Sequence, residues 1–441
     1  MSPGKKILRV AGSPGRYIKT KMREGSTQAS IFSLVIICLG SGTLTIPYNF
    51  LQNGYIVGCL CIISGAFLSS FTGYIMAYCS EKTNGSCYEE IALATYGPGW
   101  QKFTSICMIP TNLGFVITYV VLFKSFAPST IALLGATLPG WCDESRTGQI
   151  FWGCLFTLIT TLVTLPRKLS QLRFASAFSV LLSLYVVMVL FFEAMLCRGT
   201  STSVAQGFKG GKEKSELSVQ GIFSSLPLII FSYMYQVNIP AIYQELEVKN
   251  LYNAKKVIFL GTGLAAIAYI IGGIFGYIAF AGESSQKELE TWFSDNVLAA
   301  PYQTPDGNTP IPIYISLFGM MIVVVFATPF CILPVKDSIE EVRGKKFTNK
   351  ENVFWTILLN TVTLAISLAF NNIKTPISIL GATTNGAIGF LLPILYYLKM
   401  EKRTPKYTNM KIACYFVFGF ICVSSVIELV TIGLEIAHGD A

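Results

Sequence analysis

Residues 40–43 read Gly-Ser-Gly-Thr in the middle of an otherwise apolar run from Ser30 to Leu51, and Pro47 follows within the same run. Unwinding at Gly40, Ser41 and Gly42 frees backbone N–H groups, and the half-helix restarting near Thr43 points its positive dipole end at them. Such a break makes a site for a carboxylate without any formal cation. Glycine suits it because a ligand must approach the backbone closely, and because unwinding needs dihedral angles that a side chain opposes. Close packing against a neighbouring helix explains an isolated Gly-x-Gly equally well, but it accounts less well for Thr43, Thr45 and Pro47 beside it. In the second half of the chain, the run Ile222 to Tyr243 is interrupted in the same way by Ser232, Tyr233, Gln236, Asn238 and Pro240. Carbonyls freed near Ser232 and Tyr233 accept from an ammonium, and Phe231 and Tyr233 offer aromatic area for a gate, although ordinary packing explains either ring taken singly. An ammonium held beside a carboxylate means an amino acid.

Other polar residues inside apolar runs are candidates for supporting roles. Cys38 precedes the first break, Thr328 lies in Ala327-Thr328-Pro329, and Thr383 lies in Gly381-Ala382-Thr383-Thr384-Asn385 ahead of Pro393. These three are read as ion-facing or supporting groups, with the alternative that each threonine only bonds back to its own helix and bends it. A proton-linked role needs an ionisable group at membrane depth, and Glu193 and Glu428 are the candidates, with Glu245 at the end of its run. The apolar runs contain no histidine cluster, paired carboxylates, or Cys–His or Ser–His arrangement, which argues against an enzyme, a metal centre and a cofactor.

The chain of 441 residues is 52% hydrophobic and only 13% charged. Runs of roughly 20 apolar residues, long enough to cross about 30 Å of hydrocarbon, recur often enough to predict an all-helical membrane protein of eleven spans. In hydrocarbon each unpaired backbone group costs several kcal/mol, so a helix breaks at membrane depth only where it lines a cavity or is buried. Paired breaks opening the two halves of a chain are the pattern of inverted-repeat transporters. The net charge of +9 suggests a nucleic acid, yet the basic residues are dispersed between the runs and never interleave with aromatics. Most of the 33 Lys and Arg residues fall in alternate loops, which predicts a cytoplasmic N-terminus by the positive-inside rule. The expected organisation is a basic tail over 1–27, a transporter core over 28–400 with repeats at about 28–197 and 221–400, and an eleventh span with a short outer tail over 401–441. Lys124, at the end of the third run, is expected to snorkel to the interface. Asn84 of Asn84-Gly85-Ser86 falls in a loop expected inside, and Cys142 and Cys197, both expected outside, leave a disulfide open.

The chain resembles the amino acid/auxin permease family, which includes the sodium-coupled neutral and the proton-assisted amino acid transporters. The resemblance spans nearly the whole chain. It rests on Gly40-Ser41-Gly42 with Pro47-Tyr48, Tyr119 to Lys124, Ser225-Leu226-Pro227 through Pro240-Ala241-Ile242-Tyr243 with Glu245, Pro329 to Lys336, and Leu380-Gly381-Ala382-Thr383. It implies a LeuT-type five-plus-five inverted repeat, alternating access, and a substrate carboxylate at Gly40 to Gly42. In sodium-coupled members the positions matching Ile36 and Ala327 carry an asparagine and a threonine tied to sodium. Both are apolar here, so proton coupling or facilitated transport of neutral amino acids is the better expectation. A sensor of the same fold is the alternative, and a sodium symporter the second alternative. The partners expected are the amino acid and the lipid bilayer, without nucleic acid, in a plasma or vacuolar/lysosomal membrane.

Overall fold

The computed structural model describes residues 26–39, 42–133, 139–143, 145–165, 173–214, 219–295, 297–304, 307–370, 372–403 and 408–438, where all regular structure is helical. The first span is split. Helix α1 (Thr27–Cys38) begins where the Ser26 hydroxyl accepts from the Ala29 N–H at 3.2 Å, and α2 (Gly42–Thr83) resumes beyond the break. At 42 residues α2 is too long for one crossing. It turns at Gly54, whose φ of 66° lies in the left-handed region that favours glycine. Residues 42–53 therefore complete the first expected span and 55–83 form the second.

A loop helix α3 (Tyr88–Tyr96) leads to α4 (Pro98–Leu133), α5 (Arg146–Thr164) and α6 (Arg173–Met195). After α7 (Val204–Lys214), the second split span comprises α8 (Val219–Ser232), a 3-10 turn at Gln236–Asn238, and α9 (Ile239–Glu245). Helices α10 (Leu251–Ala281), α11 (Gln286–Asp295), α12 (Ile311–Arg343) and α13 (Asn349–Ser367) follow. Helix α14 (Lys374–Leu380) runs through π-helical turns at Gly381–Asn385 and Ala387–Leu391 into α15 (Leu392–Met400), and α16 (Thr408–His438) ends the described chain. Eight helical stretches among the described residues are long and apolar enough to cross a membrane, while α1, the Leu181–Met195 part of α6, and α13 fall outside that set.

Two blocks of helices result. Helices α4, α5, α12 and α13 pack on one another, whereas α10 packs on α1 and α2, α8 packs on α2, and α6 meets both α10 and α12. Lipid is as apolar as leucine, so close fit and polar ties hold such helices together. Lys336 of α12 is one tie, donating to Thr164 O at 3.2 Å, Asn352 Oδ1 at 3.0 Å and Thr356 Oγ1 at 2.9 Å. Lys124 is another, and here the snorkelling expectation is corrected. Its side chain is buried, and Nζ donates to Ser367 O at 2.9 Å and Phe370 O at 2.6 Å. Ser367 O is the last carbonyl of α13 and Phe370 O lies just beyond it, at a helix end whose orphan acceptors and negative dipole favour a cation. Thr200 and Ser201 act similarly on α10, their hydroxyls donating to Phe280 O at 2.8 Å and Ile278 O at 2.7 Å. Cys142 and Cys197 are free thiols.

Candidate functional site

The two breaks touch. A Cβ added to Gly42, the first residue of α2, would lie 2.3 Å from Ser232 Oγ and 2.9 Å from Ser232 Cβ, at the last residue of α8. Only glycine permits that approach. Gly40 and Ser41 lie outside the described residues. Beyond Ser232 the chain leaves the helix until the 3-10 turn at Gln236, which is the unwinding expected around Ser232 and Tyr233.

Tyr269, on α10, joins the same point. Its hydroxyl bonds to Cys38 O and, at 2.8 Å, to Ser232 O. Cys38 and Ser232 are the last residues of α1 and α8, so both acceptors are helix-terminal carbonyls that intrahelical bonding leaves unpaired. The Tyr233 ring stands edge-on to Tyr269, with centroids 5.2 Å apart. Phe231 lies 4.9 Å from Phe115 of α4, which brings an aromatic of the second block to the break. Two buried hydroxyls in this region have no partner among the described residues, Thr43 Oγ1 and Tyr233 Oη. Uncompensated burial of a polar group is costly, so such oxygens are natural contacts for a ligand.

The unwound backbone after α8 is held by side chains of α2. Ser69 donates to Tyr233 O at 2.8 Å, and Gln236 Nε2 donates to Ser69 Oγ at 2.8 Å and Thr72 Oγ1 at 3.2 Å. Thr262 of α10 donates to the Tyr235 hydroxyl at 2.8 Å. These bonds supply what a helix would otherwise have provided, and so let the segment stay open at membrane depth.

The remaining candidates divide. Thr328 Oγ1 donates to Val324 O at 2.9 Å and Thr383 Oγ1 to Ile379 O at 2.5 Å, so each hydroxyl bonds back to its own helix. Thr383 nonetheless sits in a π-helical turn whose neighbours Thr384 and Asn385 bury polar atoms without partners, and such turns recur at functional sites. Glu193 is ion-paired with Arg198 at 3.4 Å near the end of α6. Glu428 is buried, and neither carboxyl oxygen has a partner among the described residues. It follows Cys414, Val417, Ile421 and Ser424 along the buried stripe of α16, the face packed on α8, α14 and the π-helical turns.

Sequence reasoning missed Tyr269, Ser69 and Gln236 as parts of one cluster. A signal for Tyr269 existed, since it is the one polar residue in the small, apolar stretch Ala265 to Gly273. No local pattern distinguishes Ser69.

Comparison with known proteins bears on this geometry. A family model described as transmembrane amino acid transporter protein matches residues 23–432. The chain is 22% identical over 409 residues to amino acid transporter AVT6E of Arabidopsis thaliana, covering 90% of this chain and 80% of the relative. It is 21% identical over 457 residues to sodium-coupled neutral amino acid symporter 2 of Danio rerio, covering 97% and 84%. The crystal structure of MhsT in complex with L-phenylalanine shares its fold with a TM-score of 0.60 at 11% identity, over 93% of this chain and 99% of that one. The all-helical LeuT-type architecture is therefore common to both. With a family match running almost from end to end, this chain belongs to the transmembrane amino acid transporter family.

Proposed function

We propose that this secondary amino acid transporter carries neutral substrates by alternating access, with the substrate held where the two broken helices meet. The contact of Gly42 with Ser232 carries the reading. In it the carboxylate lies on the N–H groups opening α2, and the ammonium on carbonyls of the segment after α8. Gly42, Thr43, Phe231, Ser232, Tyr233 and Tyr269 bring no formal charge, which suits a substrate whose side chain has none. The unpartnered hydroxyls of Thr43 and Tyr233 support the same location. Rocking of the α1, α2 and α8 block against the α4, α5, α12 and α13 block then opens the site to each side in turn. The reading includes eleven spans and a cytoplasmic N-terminus.

Coupling to protons is the second part of the proposal, with Glu428 as the carrier. A buried carboxyl without a donor is costly as a carboxylate. Glu193 already has Arg198 as counter-ion, and the apolar Ile36 and Ala327 argue against sodium. Coupling matters because one charge crossing 100 mV is worth about 2.3 kcal/mol, or roughly fifty-fold accumulation.

The test is uptake of a labelled neutral amino acid mixture into proteoliposomes under an inward proton gradient, a sodium gradient, or neither. Accumulation is expected with protons alone; sodium-driven accumulation refutes the coupling. Loss of uptake in Gly42→Val, with the protein still folded and inserted, is expected of the site, and persistent uptake in that variant refutes its location. Binding without flux under every gradient would favour a sensor.

A further inference from the structure

We propose that the Tyr269 hydroxyl stands in for a bound monovalent cation at the junction of the broken helices, so that the junction is assembled without any ion. This rests on reading the break as the substrate site. Each helix C-terminus carries about half a negative charge on its unpaired carbonyls, and the ends of α1 and α8 converge at Cys38 O and Ser232 O. Two such ends in a buried place form an electronegative spot that calls for a positive partner. Neither α1 nor α8 has a lysine or arginine, and the two on α10, Lys255 and Lys256, lie about 20 Å of helix before Tyr269. The phenol hydroxyl is the group that meets both carbonyls. It has a single hydrogen for two acceptors, whereas a cation would satisfy both at once, so the hydroxyl fills the position of an ion with weaker but permanent bonding.

The surroundings fix it there. Tyr269 is fully buried, with Tyr233 edge-on to its ring. Thr43 Oγ1, one of the unpartnered hydroxyls, belongs to a side chain whose methyl faces Gly272, one turn along α10 from Tyr269. Removing the phenol oxygen would leave the two helix-terminal carbonyls of Cys38 and Ser232 facing an emptied, electronegative position, which a small monovalent cation would satisfy. Tyr269 is thus a positioning residue, which ties α1 to α8 whether or not any cation is present.

The test compares purified full-length wild type and Tyr269→Phe in sodium, lithium, potassium and choline chloride, by thermal unfolding and by proteoliposome uptake. The wild type should respond to all four salts alike. The variant should show saturable stabilisation by at least one small cation relative to choline. Its uptake should fall about tenfold in choline, the scale of one buried hydrogen bond, and recover in part with that cation. A variant that is folded and blind to every cation overturns the proposal, whether its uptake is lost or retained. A wild type stabilised by sodium or lithium over choline also overturns it, and this arm decides even if the variant fails to fold. The unfolding arm contains no amino acid, so it fails only with the role of Tyr269, whereas uptake surviving in Gly42→Val sinks only the substrate site.

Discussion

At the scale of single residues, the site depends on what is missing from position 42 and what is unpaired at position 428. Adding a methyl in Gly42→Ala forces Ser232 aside, and overpacking of this kind costs about 1–3 kcal/mol, so uptake should fall roughly tenfold. Adding Ser232→Gly removes the two side-chain atoms closer than 3.0 Å and leaves only Ser232 Cα at 3.1 Å, so the double variant should recover part of the lost uptake in the same assay. For the carboxyls the expectation is asymmetric. Glu428→Gln keeps the shape but cannot release a proton, so proton-driven accumulation should collapse to equilibration, whereas Glu193→Gln should leave accumulation in place because Glu193 serves an ion pair. Uptake measured against external pH separates the two variants. Both glutamates were legible as rare charges in apolar runs. Their difference was not, because Arg198 is visible in the sequence only as a loop residue, while the burial of Glu428 depends on how α16 packs against the rest of the fold.

At the scale of elements, helix ends are where this protein places its unusual chemistry. The breaks at Cys38 and Ser232 were readable, because glycine, serine and proline within an apolar run are a local signal of unwinding. The tie made by Lys124 was not readable. A lysine near the end of an apolar run looks the same whether it reaches water or, as here, carbonyls at and just beyond the end of α13. Lys124→Met keeps the stem and removes both bonds, and with charged donors worth about 1.5–3 kcal/mol each, thermal unfolding should show a loss of roughly 3 kcal/mol. Thr328→Ala should change stability by less than about 1 kcal/mol, since its hydroxyl serves only Val324 O of the same helix.

At the scale of the whole molecule, the proposed orientation rests on the distribution of charge. With the N-terminus in the cytoplasm, Asn84 should stay free of glycan, and a sequon introduced at Lys209 in α7 should be glycosylated when the chain is expressed in a eukaryotic membrane. A mass shift from Asn84, abolished by Asn84→Gln, would reverse the orientation. In the proposed rocking motion the block of α4, α5, α12 and α13 would be the frame and the broken helices the moving part, with Phe231 against Phe115 at the seam.

The sequence by itself determined that this chain is a helical membrane protein, and where two of its helices must break. Both conclusions follow from local chemistry: an apolar run long enough to cross lipid has to be helical, and a backbone that unwinds there needs partners whatever its neighbours are. Only the tertiary structure decided which partners those are. Tyr269 reaches a carbonyl 231 positions away at Cys38 and another 37 away at Ser232, and Ser69 reaches Tyr233 across 164. Nothing in the residue types specifies these meetings, because a tyrosine in a run of alanines and glycines acquires its role only when packing brings two helix ends to its hydroxyl.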